Sequence, residues 1–591
     1  MKGPALGTPR HDTINDAFAA AASTESGFTF LDLHEREVFL PFSAVHRRAE
    51  GTAAALRAIG VAPGDRVAIV LGTSPSFLDA FFGALLAGAV PVPLYPPLRL
   101  GKLGEYHDAT ARMVRAVEAC VIVTDRRIGA LLGHTVERAR PALGCRHVED
   151  LREDSGGTLS APVRADALAL IQFSSGSTTD PKPVALSHTN LMTHLAALHA
   201  LLPPEEHFPQ KGVSWLPLYH DMGLIGCLLL AIYVPGPLVL IRPEHFLTRP
   251  ALWLRAIARH RATLSAAPMF GYSLCERRVT DDALAGVDLS SWRMALCGAE
   301  PLSLEVLVRF ARRFADFGFD ARALRPAYGL AEAALAVTLA PFGRPPTGLG
   351  VDSAELARTG RARDGRSTLV SVGTPAPGVE VEVRDAKGLP RSERSVGRIW
   401  VRGPSVMAGY FRQPHTTARV IARGWLDTGD LGFAANGELY ICGRVKDLII
   451  IRGANHAPQE FEACASEVEG VRPGCVVALG FVPEANEGEH LLVLAERSRG
   501  VADNRDAGIA AAIRQTILLR TGIRPHIVVM LEPGTLPRTS SGKLRRGEAR
   551  RRYLVGTLKP PQRMALGRLA LAVLRSWLAH ARVRRSDARE L

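Results

Sequence analysis

Short apolar runs alternate with longer segments of helical spacing through the first part of the chain. Arg66–Leu71 (RVAIVL) reads as a buried strand, Pro75–Gly88 as a helix and Ala89–Pro93 as the next strand. Ala119–Thr124 and Ala167–Phe173 repeat the strand pattern, which predicts α/β layers around largely parallel sheets. From about Leu369 the period changes to two. Gly378–Arg384 (GVEVEVR), Val396–Arg402 (VGRIWVR) and Gly437–Gly443 (GELYICG) alternate apolar and polar positions between Gly- and Pro-rich turns, predicting a smaller β-rich region. A further α/β unit follows Asp447 and runs to about Val555. The longest apolar stretch, Leu224–Ile241, is broken by Pro235, Gly236 and Pro237, so it predicts a buried helix, a turn and a strand rather than a membrane span. No fixed-period repeat is present. The expected fold is α/β: a large N-terminal domain over residues 1–445 with a β-rich subdomain at 368–445, a small α+β C-terminal domain at 446–555, and a helical tail at 556–591.

Composition narrows this picture. The 591 residues exceed what one core usually holds, and 47% hydrophobic with 22% charged residues describes a folded chain, not a disordered one. The eight cysteines stand singly with no CxxC pair, which argues against a zinc site or a disulfide framework and for reduced thiols in the cytoplasm. Met1–Asp16 is polar and carries Pro4 and Pro9, unlike a secretory signal. The net charge of +14 suggests nucleic-acid binding until it is located: 15 of the 72 Lys and Arg residues lie from Arg538 onward, against three acidic residues there. The body is near neutral, so no nucleic-acid partner is expected. In the tail, Leu566, Leu569, Ala570, Val573, Leu574, Trp577, Leu578 and Ala581 fall on one helical face, with Arg568, Arg575 and Arg582 away from its centre. Such a helix could lie peripherally on the inner membrane surface, dock to an acidic carrier protein, or pack on its own domain.

The candidate chemistry starts at the end of the Ala167–Phe173 strand. Ser174-Ser175-Gly176-Ser177-Thr178-Thr179-Asp180-Pro181-Lys182 is a small, hydroxyl-rich loop whose backbone N–H groups and hydroxyls suit a polyphosphate, with Lys182 adding charge. It lacks the GK[ST] ending of P-loop NTPases. Gln172–Lys182 resembles the phosphate-loop signature of the adenylate-forming superfamily. Three further motifs follow in that superfamily's order: Tyr328-Gly329-Leu330-Ala331-Glu332, Trp425–Asp430 (WLDTGD) and Pro537–Lys543 (PRTSSGK). Trp215–Gly226 (WLPLYHDMGLIG), Pro93–Tyr106, Gly453–Glu460 and the insert-like Gly350–Ala362 are similar to fatty acyl-AMP ligases in particular.

The resemblance implies ATP-dependent joining of a fatty acid to AMP with Mg²⁺, then delivery to an acyl carrier protein. It implies that Ser174, Ser175, Gly176, Ser177, Thr178 and Lys182 hold the pyrophosphate, and that Glu332 with Thr178 binds the metal. Gly298, Ala299, Glu300, Pro301, Tyr328 and Gly329 would hold adenine, and Asp430 with Arg444 the ribose. Lys543 would bridge the acyl carboxylate and the α-phosphate, and Lys446 would be the interdomain hinge. His220, Met222, Leu224 and Met269, with Ile225, Pro268 and Phe270, are implied around the acyl entrance and tunnel. Three positions depart from the pattern. Thr179 and Pro183 stand where Gly is usual, which would stiffen the loop or weaken ATP binding; Met269 stands in place of an Asn, which could alter the acyl pocket. An acyl-CoA ligase, and a weakly active or inactive binding protein of the same fold, are the alternatives.

Overall fold

The computed structural model describes residues 1–97, 100–151, 163–174, 181–203, 210–482, 489–539, 542–560, 573–579 and 582. Of the expected buried runs, Arg66–Leu71, Ala89–Pro93 and Ala119–Thr124 give strands of one four-stranded sheet and Ala167–Phe173 an edge strand of a three-stranded one, while a nine-stranded sheet is the largest. In the nine-stranded sheet, Leu324–Gly329, Met294–Gly298, Leu264–Pro268, Gly212–Ser214, Leu238–Ile241 and Gly27–Leu31 run parallel in that spatial order, with antiparallel strands added at both ends. The second sheet is all parallel, in the order Val90–Leu94, Arg66–Val70, Ala119–Thr124, Cys145–His147. Both faces of such strands are covered by helices, which is why they read as continuous apolar runs. Helix Pro75–Leu86 starts on a Ser74 side-chain cap and buries Phe77, Phe81 and Phe82 completely.

A third, three-stranded sheet carries the hydroxyl-rich loop. Leu168–Phe173 pairs antiparallel with Pro183–Ser187, which also pairs with Gly409–Tyr410. The sequence reading passed directly from the loop to a helix and missed this five-residue return strand. Its start at Pro183 has a physical basis: a proline is tolerated as the first residue of a strand, and its carbonyl accepts from the Phe411 N–H at 2.8 Å. The helix then begins at His188, fixed by a reciprocal cap between Ser187 and Asn190.

The β-rich region holds the three expected strands as Glu380–Arg384, Gly397–Arg402 and Glu438–Arg444, and also the eleven-residue strand Trp425–Ala435. The insert-like segment folds as strand Gly348–Val351, helix Ser353–Thr359 capped by Asp352, and return strand Ser367–Val370. The small C-terminal domain pairs Val471–Phe481, His490–Arg497 and Ile527–Leu531, with helices Pro458–Ser466 and Asp506–Thr521 on its own apolar core. Leu224–Ile241 is a helix followed by strand Leu238–Ile241; its first turns, Leu224–Leu229, are π-helical. Among the described residues no helix is long and apolar enough to cross a membrane.

The tail differs from expectation. Leu566, Leu569, Ala570 and Ala581 lie outside the described residues. In the helical segment 573–579 the inward positions are the small residues Ser576 and Ala579, whereas Trp577 is 65% exposed and Leu574 53%. Ser576 Oγ accepts from the Gly133 N–H at 2.7 Å, and a Cβ on Gly133 would lie 2.0 Å from the Ser576 carbonyl oxygen. Close backbone approach therefore selects the small face of the helix over its large apolar one. Gly133→Val is expected to undock the tail at a cost of about 1–3 kcal/mol, read as faster tryptic cleavage at the tail arginines; unchanged cleavage would contradict this packing.

Candidate active site

The described members of the expected site, Leu224 and Ile225 excepted, line one cleft of about 3960 Å³ between the sheets and the small C-terminal domain. Ser175, Gly176, Ser177, Thr178 and Thr179 lie outside the described residues. The ends of their loop are tied together: the Ser174 N–H donates to the Lys182 carbonyl at 2.9 Å, and the Lys182 N–H to Ser174 Oγ at 3.3 Å. The Lys182 ammonium sits 4.8 Å from the Tyr410 ring centroid. Tyr410 in turn donates its hydroxyl to Glu332 Oε1 at 2.9 Å. Burial and the Glu332 carboxylate both push the Tyr410 hydroxyl well above its ordinary pKa, so it stays a donor. Tyr410 was missed in the sequence because no spacing links residue 410 to residue 332; only the pairing of Gly409–Tyr410 with Pro183–Ser187 brings it in.

A second cluster joins three motifs. Asp430 and Arg444 are cross-strand partners, and Arg444 Nε is 2.8 Å from Asp430 Oδ1. Tyr328 donates to Asp430 Oδ2 at 2.8 Å. The turn before Asp430 is held by Gly429 at φ 72° and by Thr428 Oγ1, which accepts from the Asp430 N–H. Asp430 raises the Arg444 pKa against the opposing effect of burial. Gly329 beside Tyr328 cannot be replaced without moving backbone, because a Cβ there would lie 1.8 Å from the Leu335 carbonyl oxygen.

Strand Met294–Gly298 delivers Gly298-Ala299-Glu300-Pro301. Ala299 adopts a left-handed φ of 66°, a strained conformation of the sort that collects at binding sites. Glu300 accepts the Phe270 N–H at 3.1 Å, and burial raises its carboxyl above the usual range. His220 Nδ1 lies 2.5 Å from Asp221 Oδ1. Burial would raise the Asp221 pKa, but His220 and then Lys543 outweigh it and leave the carboxylate below its ordinary value. Met222 and Met269 line the cleft, as do Pro268 and Phe270. Leu224 and Ile225 do not. Both are wholly buried in the main core, at the start of the π-helical segment Leu224–Leu229.

Lys543 projects from a tight turn of the small domain. The Thr539 N–H donates to the Lys543 carbonyl, the Lys543 N–H to Thr539 Oγ1, and Gly542 takes a φ of 91°. Burial lowers the Lys543 pKa, opposed by Asp221, Glu300 and Asp430 and reinforced by Arg444. The lysine thus lies within the field of the three carboxylates. Lys446 occupies the turn Val445–Asp447 that leads from strand Glu438–Arg444 into the small domain. Its pKa is also lowered, first by burial and then by Arg444.

A folded-state pKa below the ordinary 10.5 means that the Lys543 ammonium is lost at a lower pH than a free lysine's. Adenylation is expected to fall on the alkaline side below that value, by about tenfold per pH unit beyond the midpoint. In Lys543→Arg, whose cation persists, the residual activity should lack this limb; an identical limb in the variant would contradict the assignment.

The profile of the AMP-binding enzymes matches residues 18–411. A Caulobacter vibrioides protein provisionally named an acyl-CoA synthetase is 38% identical, covering 92% of this chain and 96% of its own length. The long-chain-fatty-acid–AMP ligase FadD26 of Mycobacterium marinum is 36% identical over 90% of this chain and 94% of its own. A solved structure from work on fatty acyl-adenylate ligases of E. coli and L. pneumophila superposes with a TM-score of 0.87 at 36% identity, covering 93% of this chain and 99% of that one. Four motifs gathered in one cleft, a profile over most of the chain and full-length relatives agree: this chain belongs to the family of AMP-binding enzymes.

Proposed function

We propose that this chain joins a fatty acid to AMP at the expense of ATP, releasing pyrophosphate, and passes the acyl group to the phosphopantetheine of a carrier protein. The observation that carries the reading is Lys543, which the small domain brings to the cleft lined by Ser174, Lys182, Glu332 and Asp430, within the electrostatic reach of Asp221, Glu300 and Asp430. The acid's carboxylate attacks the α-phosphorus, the bond to the bridging oxygen breaks, and pyrophosphate leaves with the electron pair. Two anions must meet for this to happen, so the rate depends on fixed positive charge and on orientation. Lys543 provides the charge at the reacting centre and Lys182 at the departing phosphates. Asp430, already oriented by Tyr328 and Arg444, accepts from ribose hydroxyls, and the Tyr328 ring offers adenine a flat face.

Glu332 supports the Mg²⁺ expectation. It offers one carboxylate at the cleft, and among the described residues no cluster of three or more His, Cys, Asp or Glu could hold a metal by itself. Mg²⁺ commonly takes one or two carboxylates and completes its shell with phosphate oxygens and water. When bound it would neutralise phosphate charge; the assignment of Thr178 to it stands on the motif alone.

Two observations favour a carrier protein over free CoA. The FadD26 and L. pneumophila relatives are named for acyl-AMP or acyl-adenylate formation. The insert helix Ser353–Thr359 packs against Ala454–His456 of the small domain, where it would resist rotation about Lys446 toward a second, transferring arrangement. The basic tail, with Trp577 and Leu574 exposed, is a place for carrier or membrane contact from the cytoplasmic side.

The test is mass spectrometry of products from a fatty-acid panel with ATP and Mg²⁺, alone, with CoA, and with phosphopantetheinylated carrier protein. Acyl-adenylate should accumulate without acceptor and convert to thioester with the carrier and not with CoA. Efficient acyl-CoA formation would move the chain to the ligase alternative, and absence of adenylate with every acid would overturn the reading.

A further inference from the structure

The cleft is lined in part by the apolar side chains of Leu198, Leu201, Leu230, Leu296, Leu335 and Leu339. Arg325 lines the same cavity. It stands in strand Leu324–Gly329 opposite Leu296, about 13 Å back along the strand from Gly329. The residue is 2% exposed. Its Nε donates to the Ala340 carbonyl at 2.9 Å; Nη1 donates to the Leu201 carbonyl at 3.2 Å and approaches Met294 Sδ at 3.8 Å. The Phe342 ring centroid is 5.9 Å from the guanidinium carbon. None of these groups is an anion, and Nη2 has no partner among the described residues.

Part of this arrangement is structural. Leu201 is the C-cap of helix His188–Ala200, so Nη1 meets the negative end of a helix. That accounts for one nitrogen of the guanidinium but not for the choice of a permanently charged fork with five N–H donors. Burial lowers the Arg325 pKa to about 10, and no neighbouring carboxylate acts against it. A buried charge without a counter-ion is costly unless a ligand supplies one.

We propose that Arg325 is a specificity-determining residue at the inner end of the acyl cavity. The acid activated here carries an oxygen acceptor, a carboxylate above all, at the end remote from the reacting carboxyl. This rests on the adenylation reading above. An acid with a bare methyl end would leave the fork unpaired, whereas a distal carboxylate or hydroxyl would satisfy it. Sites built around a hydrogen-bonded substrate group discriminate strongly against analogues lacking it.

The experiment uses the full chain and matched sets of unsubstituted, ω-hydroxy and α,ω-dicarboxylic acids over a range of lengths, read as acyl-adenylate formation. At the best length the wild-type protein should prefer a distal-oxygen acid over its unsubstituted match by about tenfold or more in kcat/KM, mainly through KM. The dicarboxylic and hydroxy arms decide which oxygen is preferred. Arg325→Met should abolish or invert that preference and Arg325→Lys should retain part of it, with ATP affinity unchanged in both. If Arg325→Met does not fold, the wild-type preference and the Arg325→Lys variant still decide. Equal use of all three acids by the wild-type protein, or an undiminished preference in Arg325→Met, would overturn the proposal while leaving the general reading intact. Absence of adenylate with every acid would instead remove the reading on which it rests.

Discussion

The attraction between one lysine ammonium and three carboxylates that share a cleft with it is the interaction on which the rest of this site depends. Lys543 belongs to the small domain, whereas Asp221, Glu300 and Asp430 belong to the large one. Burial depresses the Lys543 pKa and raises that of Glu300, and the attraction between the lysine and the carboxylates opposes this only in part. Two hydrogen bonds between Thr539 and Lys543 tie the lysine's backbone to the segment before it. Arg546 adds to this by bridging to Glu462 and Asp447 inside the small domain, just after the Lys446 turn. The charge that meets the reacting centre and the turn about which it would swing are thus fixed to the same body.

The large domain prepares the other half. Parallel strands end on one side of the sheet, and the segments that leave those ends carry the Gly298–Pro301 turn and Glu332. Ligands of open α/β sheets gather outside the carboxyl ends of their strands for this geometric reason. Two polar chains then cross the cleft: Lys182 to Tyr410 to Glu332, and Tyr328 to Asp430 to Arg444. Each holds its cleft-facing groups through partners within the chain. Strain at Ala299 and the tight approach at Gly329 are further signs of a backbone shaped for a ligand.

Much of this was legible in the chain itself. The parallel strands read clearly because burial on both faces makes them uniformly apolar, and the motifs pointed to Lys182, Tyr328, Glu332, Asp430 and Lys543, which line one cleft although far apart in sequence. The misses have physical causes. Pro183–Ser187 is too short to show a period, and its leading proline suggested only a stiffened loop. Leu224 sits in a motif whose neighbours line the cleft, but it packs into the main core, and membership of a motif does not by itself say which way a side chain faces. The tail was read by its large apolar residues, while the fold packs its small ones against Gly133. Tyr410 and Arg325 act through partners far away in sequence, so no local pattern announces them.

The most direct test separates nucleotide binding from chemistry in Lys543→Ala. The account predicts that ATP affinity, measured by calorimetry on the full chain, changes little, while fatty-acid-dependent exchange of pyrophosphate into ATP falls by about 100-fold or more. Exchange at the wild-type rate in that variant would contradict the central claim.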